Sequence, residues 1–376
     1  MGKRLYVIAG EASGDLHGGN LVRELLKLDP AMQVRAWGGD RMRTSGADVV
    51  KHYRDLAFMG FTQVILNLRT ILRNIKLCKA DILAFRPDAI VLIDYPGFNL
   101  RIAEFARAND IPVYYYISPQ VWAWKAGRVK AIKRDVDRMF VILPFEKQWY
   151  AEHGMDVEFV GHPLLDALPL HMENAAMTKG VKPIVALLPG SRTQEISRML
   201  PVMLSVVEHF PAYAFKVAAA PSVPAELYAG IIGNAPVELV PDGTYALLQK
   251  AKAALVTSGT ATLETALIGT PLAVCYGGGA VNVWLAKRFI KVEFISLVNL
   301  IMGREVVREL IQADMSPKSL QAELDRLLND LAYRDRMLAD FSELRETLGG
   351  PGASAVTARL MWKSLNEAPD KGLQAG

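Results

Sequence analysis

The sequence predicts an α/β protein made of two similar halves, each a mostly parallel sheet covered by helices. Three observations lead there. At roughly 100 to 200 residues per domain, 376 residues make two domains. Short apolar, β-branched runs alternate with segments of helical period, the pattern of strand–helix–strand crossovers. The alternation then restarts in kind after about residue 180. A composition of 51% hydrophobic and 22% charged residues excludes disordered, collagen-like and coiled-coil chains.

In the first half the expected strands are Leu5 to Ala9, Val34 to Trp37, Ala89 to Ile93, Val113 to Tyr116, Met139 to Leu143 and Val157 to Val160. The apolar run after the basic start Lys3-Arg4 is too short for a signal peptide and reads as the first strand, so export is not expected. Residues 1–165 form the first domain. Pro163, Pro169 and Gly180 interrupt any period before Pro183, which puts an interdomain linker at 166–182. The second domain, 183–348, carries strands at Ile184 to Leu188, Ala214 to Ala218, Val237 to Val240, Ala253 to Val256 and Pro271 to Tyr276. From about residue 316 the pattern is helical, with Ser316 as N-cap and Pro317 in the first turn. Gly349-Gly350-Pro351-Gly352 then sets off a last helix and tail, 349–376, free to pack back on the first domain. The uncharged stretch from Thr265 to Ala286 is broken by Gly269, Pro271 and Gly277, so it is not a membrane span.

Several function classes drop out. Cys78 and Cys275 each sit in an apolar stretch, which leaves no disulfide framework or cysteine metal site and fits a reducing cytoplasm. The six histidines have no H-x-x-x-H spacing, so no metal site is expected, and G-x-S-x-G follows no strand. A net charge of +4 is too mild for a nucleic-acid binder.

In open α/β sheets, ligands bind where the carboxyl ends of strands meet loops, and four such loops carry chemistry here. Gly10-Glu11-Ala12-Ser13-Gly14-Asp15 runs from the first strand into a helix; its glycines let backbone approach a ligand and its helix start offers free N–H groups. A tight turn with Asp15 as helix cap is the plainer alternative. Asp94 ends the run Ala89 to Ile93 in the apolar setting Tyr95-Pro96-Gly97-Phe98-Asn99, where a carboxyl with a raised pKa is suited to general-base work, although strand-end aspartates also cap helices. Pro189-Gly190-Ser191-Arg192 suits a diphosphate, because guanidinium pairs with phosphate oxygens at a helix start, against the alternative of a capped helix with a surface arginine. Ser258-Gly259-Thr260 opens a helix with small residues, and Glu264, one turn in, has the two acceptor oxygens a ribose diol needs.

One helix is unusual. Phe61, Val64, Ile65, Leu68, Ile71, Leu72 and Ile75 fall on one face at 100° per residue, edged by Arg69, Arg73 and Lys76. That describes either an interfacial or acyl-chain surface, or a core helix with snorkelling arginines. From Phe61 to Ala80 there are four basic residues and no acid; Trp122 to Arg138 holds six basic and two acidic residues; Trp284 to Lys291 holds three basic ones. The rest of the chain is therefore acidic, and these segments are suited to an anionic leaflet and a phosphorylated lipid.

Taken in order, Ala9 to Asp15, Ile93-Asp94-Tyr95-Pro96-Gly97-Phe98-Asn99, Ser118-Pro119-Gln120-Val121-Trp122-Ala123-Trp124, Leu143-Pro144-Phe145-Glu146, Gly161-His162-Pro163, Leu188-Pro189-Gly190-Ser191-Arg192, Ser258 to Glu264 and Leu297-Val298-Asn299 to Glu305 resemble the lipid-A-disaccharide synthases. These are inverting glycosyltransferases of the two-Rossmann-domain (GT-B) type, with a cleft between facing domains, and they act in the cytoplasmic stage of lipopolysaccharide assembly. The resemblance implies transfer of 2,3-diacylglucosamine from UDP-2,3-diacylglucosamine to the 6-hydroxyl of 2,3-diacylglucosamine 1-phosphate. The products are a β-1,6-linked disaccharide and UDP. It also implies no cofactor, no catalytic metal, no nucleic-acid partner, and a peripheral place on anionic inner-membrane lipids. The first domain takes the acceptor and lipid, the second the UDP-sugar; oligomeric state stays open. By the same analogy Asp94 is the base, with Glu11 as the alternative. Arg192 stabilises the leaving diphosphate. Gly10, Ser13, Gly14, Gly190, Ser191, Ser258, Gly259 and Thr260 line the substrates, Glu264 holds the ribose, and Asn299 lies near the sugars.

Overall fold

The protein is described here from a computed structural model, which covers residues 2–55, 68–122, 126–168, 182–277 and 293–367. The chain forms two compact units, one of Met1–Ala167 with Leu348–Gly376 and the other of Leu168–Thr347.

The first unit contains a seven-stranded parallel sheet in the order β3-β2-β1-β4-β5-β6-β7. Its strands are β1 (Arg4–Ala9), β2 (Gln33–Gly38), β3 (Asp48–His52), β4 (Ala89–Ile93), β5 (Val113–Tyr116), β6 (Arg138–Val141) and β7 (Glu158–Phe159). Strands buried on both faces need side chains that are apolar without alternation. The sequence supplies them: from Leu5 to Ala9 and from Ala89 to Ile93 every residue is fully buried. Tyr6, Ile8, Ile90, Leu92 and Tyr115 point to one face, under helices α3 (Leu68–Phe85) and α4 (Pro96–Arg107). Leu5, Val7, Val91, Ile93 and Tyr116 point to the other, under α1 (Ala12–Leu28) and the final helix, Ala353–Asn366. That last helix belongs to the first unit, and Asp166 ties its start down by accepting from the Gly352 and Ser354 amides at 2.5 and 2.8 Å.

The second unit holds a six-stranded parallel sheet in the order β10-β9-β8-β11-β12-β13. Its strands are β8 (Ile184–Leu188), β9 (Ala214–Ala218), β10 (Val237–Val240), β11 (Ala251–Thr257), β12 (Leu272–Tyr276) and β13 (Glu309–Ile311). Ser316 caps the helix Pro317–Asn329 by accepting from the Ser319 amide at 3.2 Å. Two edge strands, β3 and β13, have no counterpart in the sequence reading; Asp48, Lys51 and Glu309 interrupt any apolar run there. Among the described residues, no helix is long and apolar enough to cross a membrane.

The amphipathic helix is divided differently from the expectation. Phe61, Val64 and Ile65 lie outside the described residues, as does the Leu68 side chain. On α3, Ile71 packs against the core and Ile75, Cys78, Ile82 and Phe85 are buried in it, so Ile71 and Ile75 face the sheet and do not form an outer apolar stripe. Leu72, Leu77 and Leu83 are instead 53%, 54% and 49% exposed, on the opposite arc with Arg69, Arg73 and Lys76. Trp122 also turns inward: its Nε1 donates to buried Glu146 at 3.2 Å. Trp124 and the segment 284–291 lie outside the described residues.

Candidate active site

In both sheets the strand order reverses beside the first strand of the unit, between β1 and β4 in one and between β8 and β11 in the other. Loops leaving such a pair diverge to opposite faces and open a crevice at the strand carboxyl ends. All four loops selected from the sequence leave these four strands.

In the first unit, β1 and β4 run in register with Ala9 opposite Ile93, so Gly10-Glu11 and Asp94-Tyr95 emerge side by side. Gly10 has to be glycine, because a Cβ there would lie 2.4 Å from the Tyr95 ring. Asp94 and Tyr95 both adopt left-handed backbone, φ 44° and 49°, which L residues occupy only where the surroundings hold them. Burial is the main reason the Asp94 carboxyl is raised to about 6, with the negative charge of Glu11 adding to it. Two carboxyl groups in an apolar corner, one of them poised near neutrality, are equipped to accept a proton.

The other residues of this loop divide by role. Ser13 is exposed at the start of α1, and Gly14 is buried against Ala9, where its missing side chain lets the helix approach the strand. Asp15 is buried and caps a different helix, α2 (Asp40–Thr44), accepting from the amides of Gly39, Arg41 and Met42 at 2.7, 3.0 and 3.2 Å. Sequence reading missed Asn99 and Tyr115, which both donate to the Asp94 carbonyl, at 2.7 and 2.6 Å.

In the second unit, Gly190 takes φ 118°, turning the chain from β8 into the helix Thr193–Leu204. Glu195 folds back over this turn. Its carboxylate accepts from the Ser191 amide and from Arg192 Nη1, each at 3.0 Å. Ser191 and Arg192 are themselves exposed. After the neighbouring strand β11, Ser258 donates to the Ile295 carbonyl at 3.2 Å, while Gly259 and Thr260 stand exposed at the start of the helix Thr260–Ile268. Glu264 is half-buried; desolvation raises its pKa, and it accepts from Tyr245 Oη at 3.1 Å. Arg192, Ser191, Gly190, Ser258, Gly259, Thr260 and Glu264 thus share one edge of the sheet.

Asn299 does not join them. It is fully buried, its Oδ1 accepts from the Val306 and Val307 amides at 2.8 and 3.0 Å, and its Nδ2 donates to Val307 O and Glu309 Oε1. Every hydrogen-bonding position of its side chain is used within the unit, where it pins the 303–309 turn. Glu309, absent from the sequence reading, completes the brace by accepting from the Ile295 and Ser296 amides, both at 2.9 Å.

Comparison with known proteins agrees with this geometry. The family model described as lipid-A-disaccharide synthetase matches residues 5–352. The chain belongs to the lipid-A-disaccharide synthase family. A lipid-A-disaccharide synthase of Syntrophus aciditrophicus is 42% identical over 95% of this chain and 96% of its own. One of Trichlorobacter lovleyi is 39% identical over 97% and 98%. Among solved structures, the glycosyltransferase of kitacinnamycin matches with TM-score 0.67 and 18% identity, over 97% of this chain and all of its own. The UDP-GlcNAc 2-epimerase of Neisseria meningitidis, solved with UDP-GlcNAc bound, matches with TM-score 0.66 and 15% identity, over 96% and 100%. At such identities these two establish the fold, that of GT-B glycosyltransferases. This lipid-A-disaccharide synthase family member is accordingly a glycosyltransferase.

The setting of Asp94 has a measurable cost. A carboxyl whose folded pKa lies above its unfolded value favours folding below the unfolded value, near 4, and that contribution is lost as pH rises through about 6. Asp94→Asn is therefore expected to unfold at a higher temperature than the parent at pH 8, with the gap closing toward pH 4. A lower melting temperature at pH 8 would show that the ionised carboxylate is well solvated or paired.

Proposed function

We propose that the enzyme moves 2,3-diacylglucosamine from its UDP derivative to O6 of 2,3-diacylglucosamine 1-phosphate, with inversion, giving the β-1,6 disaccharide 1-phosphate and UDP. The observation that supports this reading best is the half-buried Asp94 carboxyl beside Glu11 at the strand reversal of the first unit. A hydroxyl nucleophile must lose its proton as it attacks, and a base with pKa near 6 is ionised at neutral pH yet basic enough to take that proton. Asp94 removes the O6 proton, O6 bonds to the anomeric carbon, and the bond to the UDP oxygen breaks. Glu11 keeps the Asp94 proton affinity high and orients the acceptor.

The second unit serves the donor. Arg192, with the Ser191 hydroxyl, and the Gly259-Thr260 helix start meet the charge that grows on the leaving diphosphate. Ser258 and Gly190 shape the backbone that approaches it. Glu264, held by Tyr245, accepts the ribose hydroxyls. A UDP-sugar is also the ligand bound by the Neisseria meningitidis neighbour. The exposed leucines among basic residues on α3 supply an interfacial surface for acylated substrates on an anionic leaflet, so the protein works peripherally at the inner face of the inner membrane.

Incubation with both acylated glucosamines is expected to release UDP, and UDP-N-acetylglucosamine is expected to be a poor donor. Asp94→Asn should lower kcat by about a hundred-fold or more, and Arg192→Ala should lower kcat/KM by a similar factor. Full kcat in Asp94→Asn would exclude it as the base. For the membrane face, the pair Leu72→Ser with Leu77→Ser should weaken binding to phosphatidylglycerol vesicles without changing thermal stability, whereas Ile75→Ser should destabilise by about 2–4 kcal/mol. Unchanged vesicle binding by the leucine pair would move the contact elsewhere.

A further inference from the structure

The loop that presents Asp94 is held by two residues that do not belong to the substrate loops. Tyr115 stands on β5, the strand next to β4, opposite Leu92 in the register. Asn99 lies in the first turns of α4. Both are fully buried. Tyr115 Oη donates to the Asp94 carbonyl at 2.6 Å and Asn99 Nδ2 donates to the same oxygen at 2.7 Å, while also reaching the Ile93 carbonyl at 3.2 Å. One backbone oxygen thus takes two short bonds from two separate elements.

That oxygen belongs to the peptide joining two left-handed residues, Asp94 and Tyr95. Each such residue is strained relative to ordinary backbone. If the 94–95 peptide rotated to a relaxed conformation, its carbonyl would swing away and leave a buried tyrosine hydroxyl and a buried amide without their acceptor, which is unfavourable for both. The bond pair therefore opposes relaxation of that peptide. It also fixes where the Asp94 side chain leaves the backbone and keeps the Tyr95 ring over Gly10, beside Glu11.

We propose that Tyr115 and Asn99 are positioning residues for the transfer: by clamping the Asp94 carbonyl they hold the 94–95 peptide left-handed and aim the carboxyl at the acceptor hydroxyl. Neither touches substrate. The inference rests on the reading of Asp94 as the base.

The test is steady-state UDP release across pH 5 to about 8.5, a span chosen to bracket the Asp94 titration, for the parent, Tyr115→Phe, Asn99→Ser and Asp94→Asn, all full-length and in the same vesicles. Tyr115→Phe removes one hydroxyl and is expected to lower kcat about ten- to hundred-fold with both KM values within about two-fold, as misorientation by a fraction of an ångström does. The acidic limb of the pH profile should also move down by about half a pH unit or more, because a carboxyl freed from its buried setting ionises more readily. Asn99→Ser should show the same pattern and carries the test if Tyr115→Phe does not fold. UDP affinity, measured by calorimetry without acceptor, should stay at the parent value in both. A loss of thermal stability or active fraction with an unmoved pH limb would mean that the bonds only support the fold, and would overturn the inference. Parent kcat in both variants, with Asp94→Asn inactive, would overturn it while leaving the base assignment standing. Parent kcat in Asp94→Asn would remove the base assignment, and the inference with it.

Discussion

Everything that this protein offers to a substrate follows from strands that all pair in parallel. Parallel pairing forces each strand to return through a crossover, so every strand of a unit ends on the same edge. It also requires both faces of the sheet to be covered, which is why the runs from Leu5 to Ala9 and from Ala89 to Ile93 contain no polar side chain able to meet water. Chemistry is left to the residues just past the strand ends, and the two places where strand order reverses are where loops part widely enough to admit a ligand. Gly10, Glu11 and Asp94 occupy one such place, and Ser191, Arg192, Ser258 and Glu264 the other.

Within that frame the two units solve different electrostatic problems. The first shields the half-buried Asp94 carboxyl from water, which raises it to about 6, and accepts left-handed backbone there. The second exposes amides, hydroxyls and a guanidinium at helix starts, with Glu195 lying across the same turn. On the function proposed above, the first setting takes up the proton of the attacking hydroxyl and the second receives the leaving diphosphate.

Much of this could be read from residue order alone. Eleven of the strands appear as apolar runs, because burial on both faces leaves nothing else to sequence pattern; β3 and β13, at sheet edges, carry charge and escape notice. Glu11, Asp94, Arg192 and Glu264 stand out because each lies in a loop or early helical turn that follows an apolar strand run. Partners distant in sequence do not stand out. Tyr115 looks like one more aromatic strand residue until β5 is placed beside β4. Only the family resemblance draws attention to Asn299, and nothing local in the sequence shows that its side chain meets Val306, Val307 and Glu309. The apolar face of α3 is legible for a related reason only in part: periodicity groups Leu72 with Ile71 and Ile75 but does not say where the sheet's cover ends.

The central claim is a single displacement in which Asp94 takes the proton of the attacking hydroxyl. The anomeric configuration of the disaccharide made from the α-linked UDP donor tests it most directly, read from the coupling of the new anomeric proton by NMR. The account predicts a β linkage and no α product; an α-linked disaccharide would mean net retention and would contradict it.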